Sequence, residues 1–217
     1  MKNFDLIVFD WDGTLFDSTA IITRCIQYAI SDLGGVKPSD KDASYVIGMG
    51  LTEALAHAAP DIKPEQYDEL TQRYRHHYLK LQDDISLFDG IIPVLKYLKS
   101  KGLSLAVATG KTRRGLEQVL KAVELRGIFD GSRTADETRN KPNPKMLHEL
   151  IQQFNTTPER TLMVGDTTHD LEMASNAGCP CVGVSYGAHQ LEDLKVWSPL
   201  IVVNSVGELS GWLRDRV

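Results

Sequence analysis

Short apolar runs recur along the chain at Leu6 to Phe9, Leu105 to Ala108, Thr161 to Val164, Cys181 to Val184 and Leu200 to Val203. Runs that are apolar on both faces suit parallel strands buried between layers of helices. The segments between them carry helix punctuation. Asp89 and Gly90 precede Pro93 and the spaced set Ile92, Leu95 and Leu98, with Gly102 as a stop, and Asn143 then Pro144 opens a helix bearing Leu147, Leu150 and Ile151. Strand and helix in alternation predict an α/β fold with a doubly wound parallel sheet.

One stretch breaks that rhythm. From Ser18 to the run at Leu105 no comparable β-type segment occurs, whereas Ile22, Cys25, Ile26, Ala29 and Leu33 recur at helical spacing after the capping candidates Asp17, Ser18 and Thr19. Tyr67, Leu70, Tyr74, Tyr78 and Leu81 repeat the pattern further on. The expected organisation is therefore a core domain of residues 1–16 and 88–217, with residues 17–87 forming an all-helical domain inserted over the sheet.

Composition narrows the partners. With 24 Lys+Arg against 29 Asp+Glu the net charge is −5, which offers no phosphate-neutralising surface for nucleic acid. Acids at Asp5, Asp10 and Asp12 interrupt any signal-peptide apolar region, and no run approaches a membrane span, so neither export nor membrane insertion is expected. The three cysteines, Cys25, Cys179 and Cys181, form no C-x-x-C pair and read as reduced thiols of a cytoplasmic protein.

Ligands of open parallel sheets bind at the carboxyl ends of the strands. The residues just after the apolar runs are Asp10-Trp11-Asp12-Gly13-Thr14, Thr109-Gly110-Lys111-Thr112 and Gly165-Asp166-Thr167-Thr168-His169-Asp170, with Lys141-Pro142 before the Asn143 helix. Singly, each is ordinary: Asp12-Gly13 is a turn dipeptide, and Asp166 or Asp170 could cap the following helix. Together, four carboxylates would repel one another unless a cation sat among them. Oxygen ligands alone favour a hard ion, and Mg²⁺ suits a few carboxylates plus substrate phosphate. Thr109 and Lys141 then suit phosphoryl oxygens. Thr109 to Thr112 imitates the end of a phosphate-binding P-loop, but Leu105 stands where its leading glycine belongs.

This order of motifs resembles the haloacid dehalogenase superfamily: D-x-D-G-T as Asp10 to Thr14, the second-motif hydroxyl as Thr109, the third-motif lysine as Lys141, and G-D-x-x-x-D as Gly165 to Asp170. The helical insertion between the first two motifs resembles the helical-cap subfamily that includes phosphoglycolate phosphatases. The resemblance implies a Rossmann-like core and an Mg²⁺-dependent phosphatase acting on a small phosphorylated metabolite, as a monomer or homodimer. In it Asp10 is the nucleophile and Asp12 the general acid and base, while Thr109 and Lys141 hold the transferring oxygens. The metal is held by Asp10, the backbone carbonyl of Asp12 and Asp166, with Asp170 as ligand or orienter. Asp12 also sets this chain apart from the dehalogenase and phosphonate branches.

Other readings carry different expectations. A β-phosphoglucomutase-like phosphomutase commonly has a histidine after the first motif, and Thr19 to Arg24 contains none. A nucleotidase or pyrophosphatase of the same superfamily would share the whole motif set. A phosphoacceptor receiver would be about half as long, and a non-catalytic scaffold would have lost a motif residue. For substrate contacts the sequence offers the loop from Ile47 to Thr52, with Gly48, Met49, Gly50 and Thr52, together with Trp11, Gly110 and Arg24.

Overall fold

The computed structural model describes residues 4–122 and 125–217. Its centre is β1 (Leu6–Phe9), every residue of which is buried. β1 pairs in parallel with β2 (Ser104–Thr109) on one side and β4 (Thr161–Gly165) on the other, so Leu6 lies level with both Ser104 and Thr161. β3 (Gly131–Thr134), β5 (Cys181–Val184) and β6 (Ile201–Val203) complete a six-stranded parallel sheet in the order β3-β2-β1-β4-β5-β6. The four inner strands are those read as apolar runs, and β6 begins one residue later than its run. The polar segment Gly-Ser-Arg-Thr of β3 carried no apolar signal. It lies at a sheet edge, where only its last residue, Thr134, is buried.

Alternation along the strands builds a core on each face. Ile7, Phe9 and Val107 point towards α5 (Ile91–Ser100), α6 (Arg113–Ala122) and α10 (Val206–Arg214). Leu6, Val8 and Ala106 point towards α7 (Lys145–Gln153), α8 (Thr168–Asn176) and α9 (Leu191–Lys195). α5 starts where the sequence places it, because Gly90 adopts φ +88° ahead of it.

Between β1 and β2 lie α1 (Thr19–Asp32), α2 (Asp40–Tyr45), α3 (Leu51–Ala58) and α4 (Tyr67–Leu81). They share their own apolar cluster, including Ile26, Ile30, Leu55 and Leu70. The chain leaves and re-enters the sheet layer through two touching segments: Phe16 bridges Leu87, Asp17 N–H donates to Ser86 O at 2.9 Å, and Phe88 N–H donates to Leu15 O at 3.0 Å. Among the described residues no helix is long and apolar enough to cross a membrane. The three cysteines are free and buried.

Candidate active site at the carboxyl ends of the central strands

Asp10 directly follows β1, and its backbone N–H still donates to Val164 O of β4 at 2.9 Å. The bond fixes the Asp10 backbone at the carboxyl end of the sheet, with its side chain beside Asp166, Asp170 and Lys141. Asp166 follows β4, and Asp170 stands in the first turn of α8. Ligand oxygens of Asp10, Asp166 and Asp170 all lie within 4.8 Å of one another, and all three residues are buried. Each acid is fixed differently. Asp166 accepts from Thr14 Oγ1 at 2.8 Å through one oxygen and from Ala188 N–H at 2.7 Å through the other. Asp170 uses Oδ2 for the helix cap foreseen as its bland role, accepting from Thr167 N–H at 3.1 Å and Oγ1 at 2.7 Å. Its Oδ1 is left to face the crevice.

The trio would be untenable without a counter-charge, and Lys141 supplies part of it. Only 1% exposed, Lys141 places Nζ 2.5 Å from Asp10 Oδ1 and 2.6 Å from Asp170 Oδ1. Burial works against its charge, but Asp10 and Asp170 outweigh that and hold the ammonium above the ordinary lysine range. Three carboxylates facing one ammonium still leave an excess of negative charge. Burial pushes the Asp10 carboxyl up, Lys141 pulls it back, and the charges of Asp170 and Asp12 raise it again, to about 7. Burial likewise raises Asp166, with Asp10 and Asp170 adding to it.

A divalent cation fits this arrangement on chemical grounds. Asp10 Oδ2 is buried and has no hydrogen-bond partner. A buried orphan acceptor inside a cluster of hard oxygen ligands is the signature of a position made for a cation. The backbone is drawn in tightly around Asp166. A Cβ on Gly13, where φ is +81°, would come 2.1 Å from Asp166 Oδ2, and one on Gly187 would come 2.2 Å from it.

Asp12 stands apart from the trio. Its Oδ1 accepts from Ser18 Oγ at 2.8 Å, and its Oδ2 is ion-paired with Lys111 Nζ at 3.0 Å. Ser18, read from sequence as a helix cap, makes no side-chain cap bond, because its hydroxyl is spent on Asp12. Lys111 also donates to Tyr78 Oη at 3.2 Å and sits 5.1 Å from the centre of that ring. The sheet and α4 therefore meet at Asp12 through one lysine. Thr109, 1% exposed, ends β2 and accepts the N–H of Lys111 at 3.2 Å. Beside it, a Cβ on Gly110 would lie 2.3 Å from Met49 O and 2.7 Å from Gly48 O, so the Gly48–Met49 backbone rests on this glycine. Gly50 approaches the core in the same way, with Asn140 Nδ2 2.4 Å from where its Cβ would be.

The structure thus gathers Asp12, Gly48, Met49 and Gly110 around one cavity of about 530 Å³. Four expected substrate contacts do not line it, and Gly50, buried against Asn140, is one of them. Trp11 is fully buried and stacks on Phe16 at 4.8 Å, so its ring belongs to the core. Arg24 is exposed, donates to Ala20 O at 3.3 Å and lines a different cavity with Tyr45 and His189. Thr52 lies in the first turn of α3 and is exposed, because the loop ends at Gly50. Lys111, Ser18 and Tyr78 were not singled out as site residues. The position of Lys111 two residues beyond Thr109 was the available signal. A second joint between insertion and core was also hidden: His169 Nε2 and His189 Nε2 reach the Tyr45 carbonyl at 2.8 and 3.0 Å, while His189 Nδ1 accepts from Thr168 N–H at 3.0 Å.

Comparison with known proteins agrees with this geometry. Residues 7–184 match the family described as haloacid dehalogenase-like hydrolase. A "Probable phosphatase IndB" of Dickeya dadantii (strain 3937) is 31% identical over 213 residues, covering 95% of this chain and 92% of its own. The pyrophosphatase PpaX of Halalkalibacterium halodurans is 29% identical over 94% of each chain. The crystal structure of a predicted phosphoglycolate phosphatase from Haemophilus somnus 129pt superposes with a TM-score of 0.85 at 25% identity, covering 98% of this chain and 99% of that one. With a parallel sheet, a helical insertion after its first strand and a family match spanning most of its length, the chain belongs to the haloacid dehalogenase-like hydrolases.

Proposed function

We propose that the protein is a Mg²⁺-dependent phosphatase that hydrolyses a phosphate monoester through a phosphorylated Asp10. The observation that carries this reading is the buried set of Asp10, Asp166 and Asp170 around Lys141, with Asp10 Oδ2 unpartnered. Asp10, Asp166, Asp170 and the backbone carbonyl of Asp12 would hold the metal. When bound, Mg²⁺ offsets the repulsion between an anionic nucleophile and an anionic phosphate.

The chain's own groups divide the remaining work. With Asp10 Oδ2 turned to the metal, Oδ1, steadied by Lys141, is the oxygen that attacks phosphorus in line. Thr109 and Lys141 steady the equatorial oxygens of the transferring group, helped by backbone N–H groups of Trp11, Asp12 and Gly110. Asp12 gives a proton to the leaving oxygen and then, as a carboxylate, takes one from the water that releases phosphate from Asp10. Residues 17–87 act as a cap over a core of residues 1–16 and 88–217, jointed where Asp17 pairs with Ser86 and Phe88 with Leu15. The cap shields phosphorylated Asp10 from bulk solvent, so that the water activated by Asp12 is the one that reaches it. Buried, unpaired thiols suit a cytoplasmic setting.

Hydrolysis of p-nitrophenyl phosphate tests this. EDTA should abolish turnover, Mg²⁺ should restore it, and Asp10→Asn should reduce it by at least 10³-fold in a folded protein, as estimated for losing a covalent nucleophile (~10³ or more). Turnover of Asp10→Asn within tenfold of the parent would remove Asp10 from the nucleophile's role. Because one relative is a pyrophosphatase, inorganic pyrophosphate belongs beside the esters in the substrate panel.

A further inference from the structure

We propose that the leaving group of the substrate carries a bulky apolar body, in contrast to a two-carbon acid such as glycolate. The inference rests on the phosphatase reading and names the substrate class of that same site.

Three observations carry it. First, the cavity that opens onto Asp12 and Gly110 holds about 530 Å³, within the range of about 300–1,000 Å³ typical of sites for sizeable organic ligands. A two-carbon leaving group would fill little of it. Second, much of the lining is apolar: Ile22 and Ile26 come from α1, Ile47 and Met49 from the loop, Leu51 from α3 and Tyr74 from α4, with Gln82, Thr112, Gln118 and Asp136 among its polar residues. Tyr74 stacks on Tyr78 at 5.9 Å with 20° between the planes, which presents a flat hydrocarbon surface to the space. Third, the cation beside Asp12 is already engaged. Lys111 is paired with Asp12 at 3.0 Å and bonded to Tyr78 at 3.2 Å. A carboxylate one carbon away from the ester oxygen would sit beside the Asp12 carboxylate, whose lysine is already paired. The remaining cations of the lining, Arg75 and Arg114, are exposed to solvent, and Arg24 lines another cavity.

A homologous series of n-alkyl phosphates, from ethyl to hexyl, separates the apolar term from the chemistry because the leaving alcohols are nearly equal in acidity. With Mg²⁺ present, kcat/KM should rise about three- to fourfold per methylene, and on the order of 10²-fold across the series, the scale of burying each methylene from water. Phosphoglycolate should fall below butyl phosphate. Met49→Gln, on the half-buried loop, should flatten the rise by placing an amide in the wall. Should that variant fail to fold, Leu51→Gln makes the same test. A flat series, or phosphoglycolate outpacing every alkyl ester, would overturn the inference while p-nitrophenyl phosphate turnover leaves the phosphatase reading standing. An unchanged slope in a folded Met49→Gln or Leu51→Gln variant would also overturn it. Failure to hydrolyse p-nitrophenyl phosphate itself would overturn both.

Discussion

Lys141 is buried between two carboxylates, and removing its charge leaves both without compensation. Breaking such a pair typically costs about 3 to 5 kcal/mol. Lys141→Ala should therefore melt well below the parent in EDTA and regain more stability than the parent when Mg²⁺ is added. Its kcat should fall by roughly 10²- to 10³-fold, the scale of one lost anion-stabilising donor. Thermal melts and steady-state kinetics on the same preparation check both effects. The raised carboxyls make a second prediction. Asp10 binds its proton more tightly folded than unfolded, chiefly through burial, so its contribution is complete below about pH 4 and lost as pH rises through about 7, and the raised carboxyl of Asp166 acts in the same direction. In EDTA the protein should melt at a higher temperature near pH 5.5 than near pH 8, and saturating Mg²⁺ should weaken or reverse that slope. The same slope with and without Mg²⁺ would place the cation elsewhere. At this scale the acids were legible because each follows an apolar run. Lys111 and Ser18 were not, since a lysine after Thr-Gly and a serine before a helix have commoner uses, and only the folded chain shows both converging on Asp12.

Among the elements, the loop before α3 is one of the points where the helical insertion touches the carboxyl edge of the sheet. Its seat is Gly110, where any side chain would collide with the carbonyls of Gly48 and Met49. These atoms are backbone, so the loop as a whole must shift. Gly110→Ala should lower kcat/KM by at least tenfold (~10-fold or more for a displacement of about 1 Å near a reacting group) and lower the melting temperature as well, since overpacking typically costs about 1–3 kcal/mol. Limited proteolysis of residues 46–50 should quicken in parallel. Normal kinetics in that variant would show that the loop need not rest on the core during turnover. Long or strongly patterned elements were readable in advance: the inner strands, α1, α4, α5 and α7. β3 was not, because its four residues are polar and its pairing is supplied by β2. α2 and α3 are short, and nothing in the sequence before Leu51 shows that Gly50 caps a helix and carries Thr52 out to solvent. Tertiary contact decides such elements, and local pattern does not.

For the whole molecule, apolar runs and the strand-helix rhythm are enough to fix a doubly wound sheet. The direction in which each cavity opens is not in the pattern, because it depends on how α1 to α4 lie across the strand ends. That is why Arg24, at a plausible spacing from the first motif, lines the cavity away from Asp12. The touching entry and exit segments at Phe16 and Leu87 have a consequence for how the chain assembles. β1 and β2 are register neighbours, yet Leu6 and Ser104 are far apart in sequence, and a flexible chain closing that loop loses entropy. Once α1 to α4 have formed, their two ends are already together, and the contour that the sheet must close shrinks to roughly a quarter. On loop-closure scaling that saves about 1 kcal/mol. The insertion is thus, to the sheet, a short hairpin with a large ornament. Replacing residues 18–85 by a short Gly-Ser turn should leave a chain that still folds cooperatively, with its sheet intact by circular dichroism. A molten product would show instead that the helices nucleate the sheet they cover.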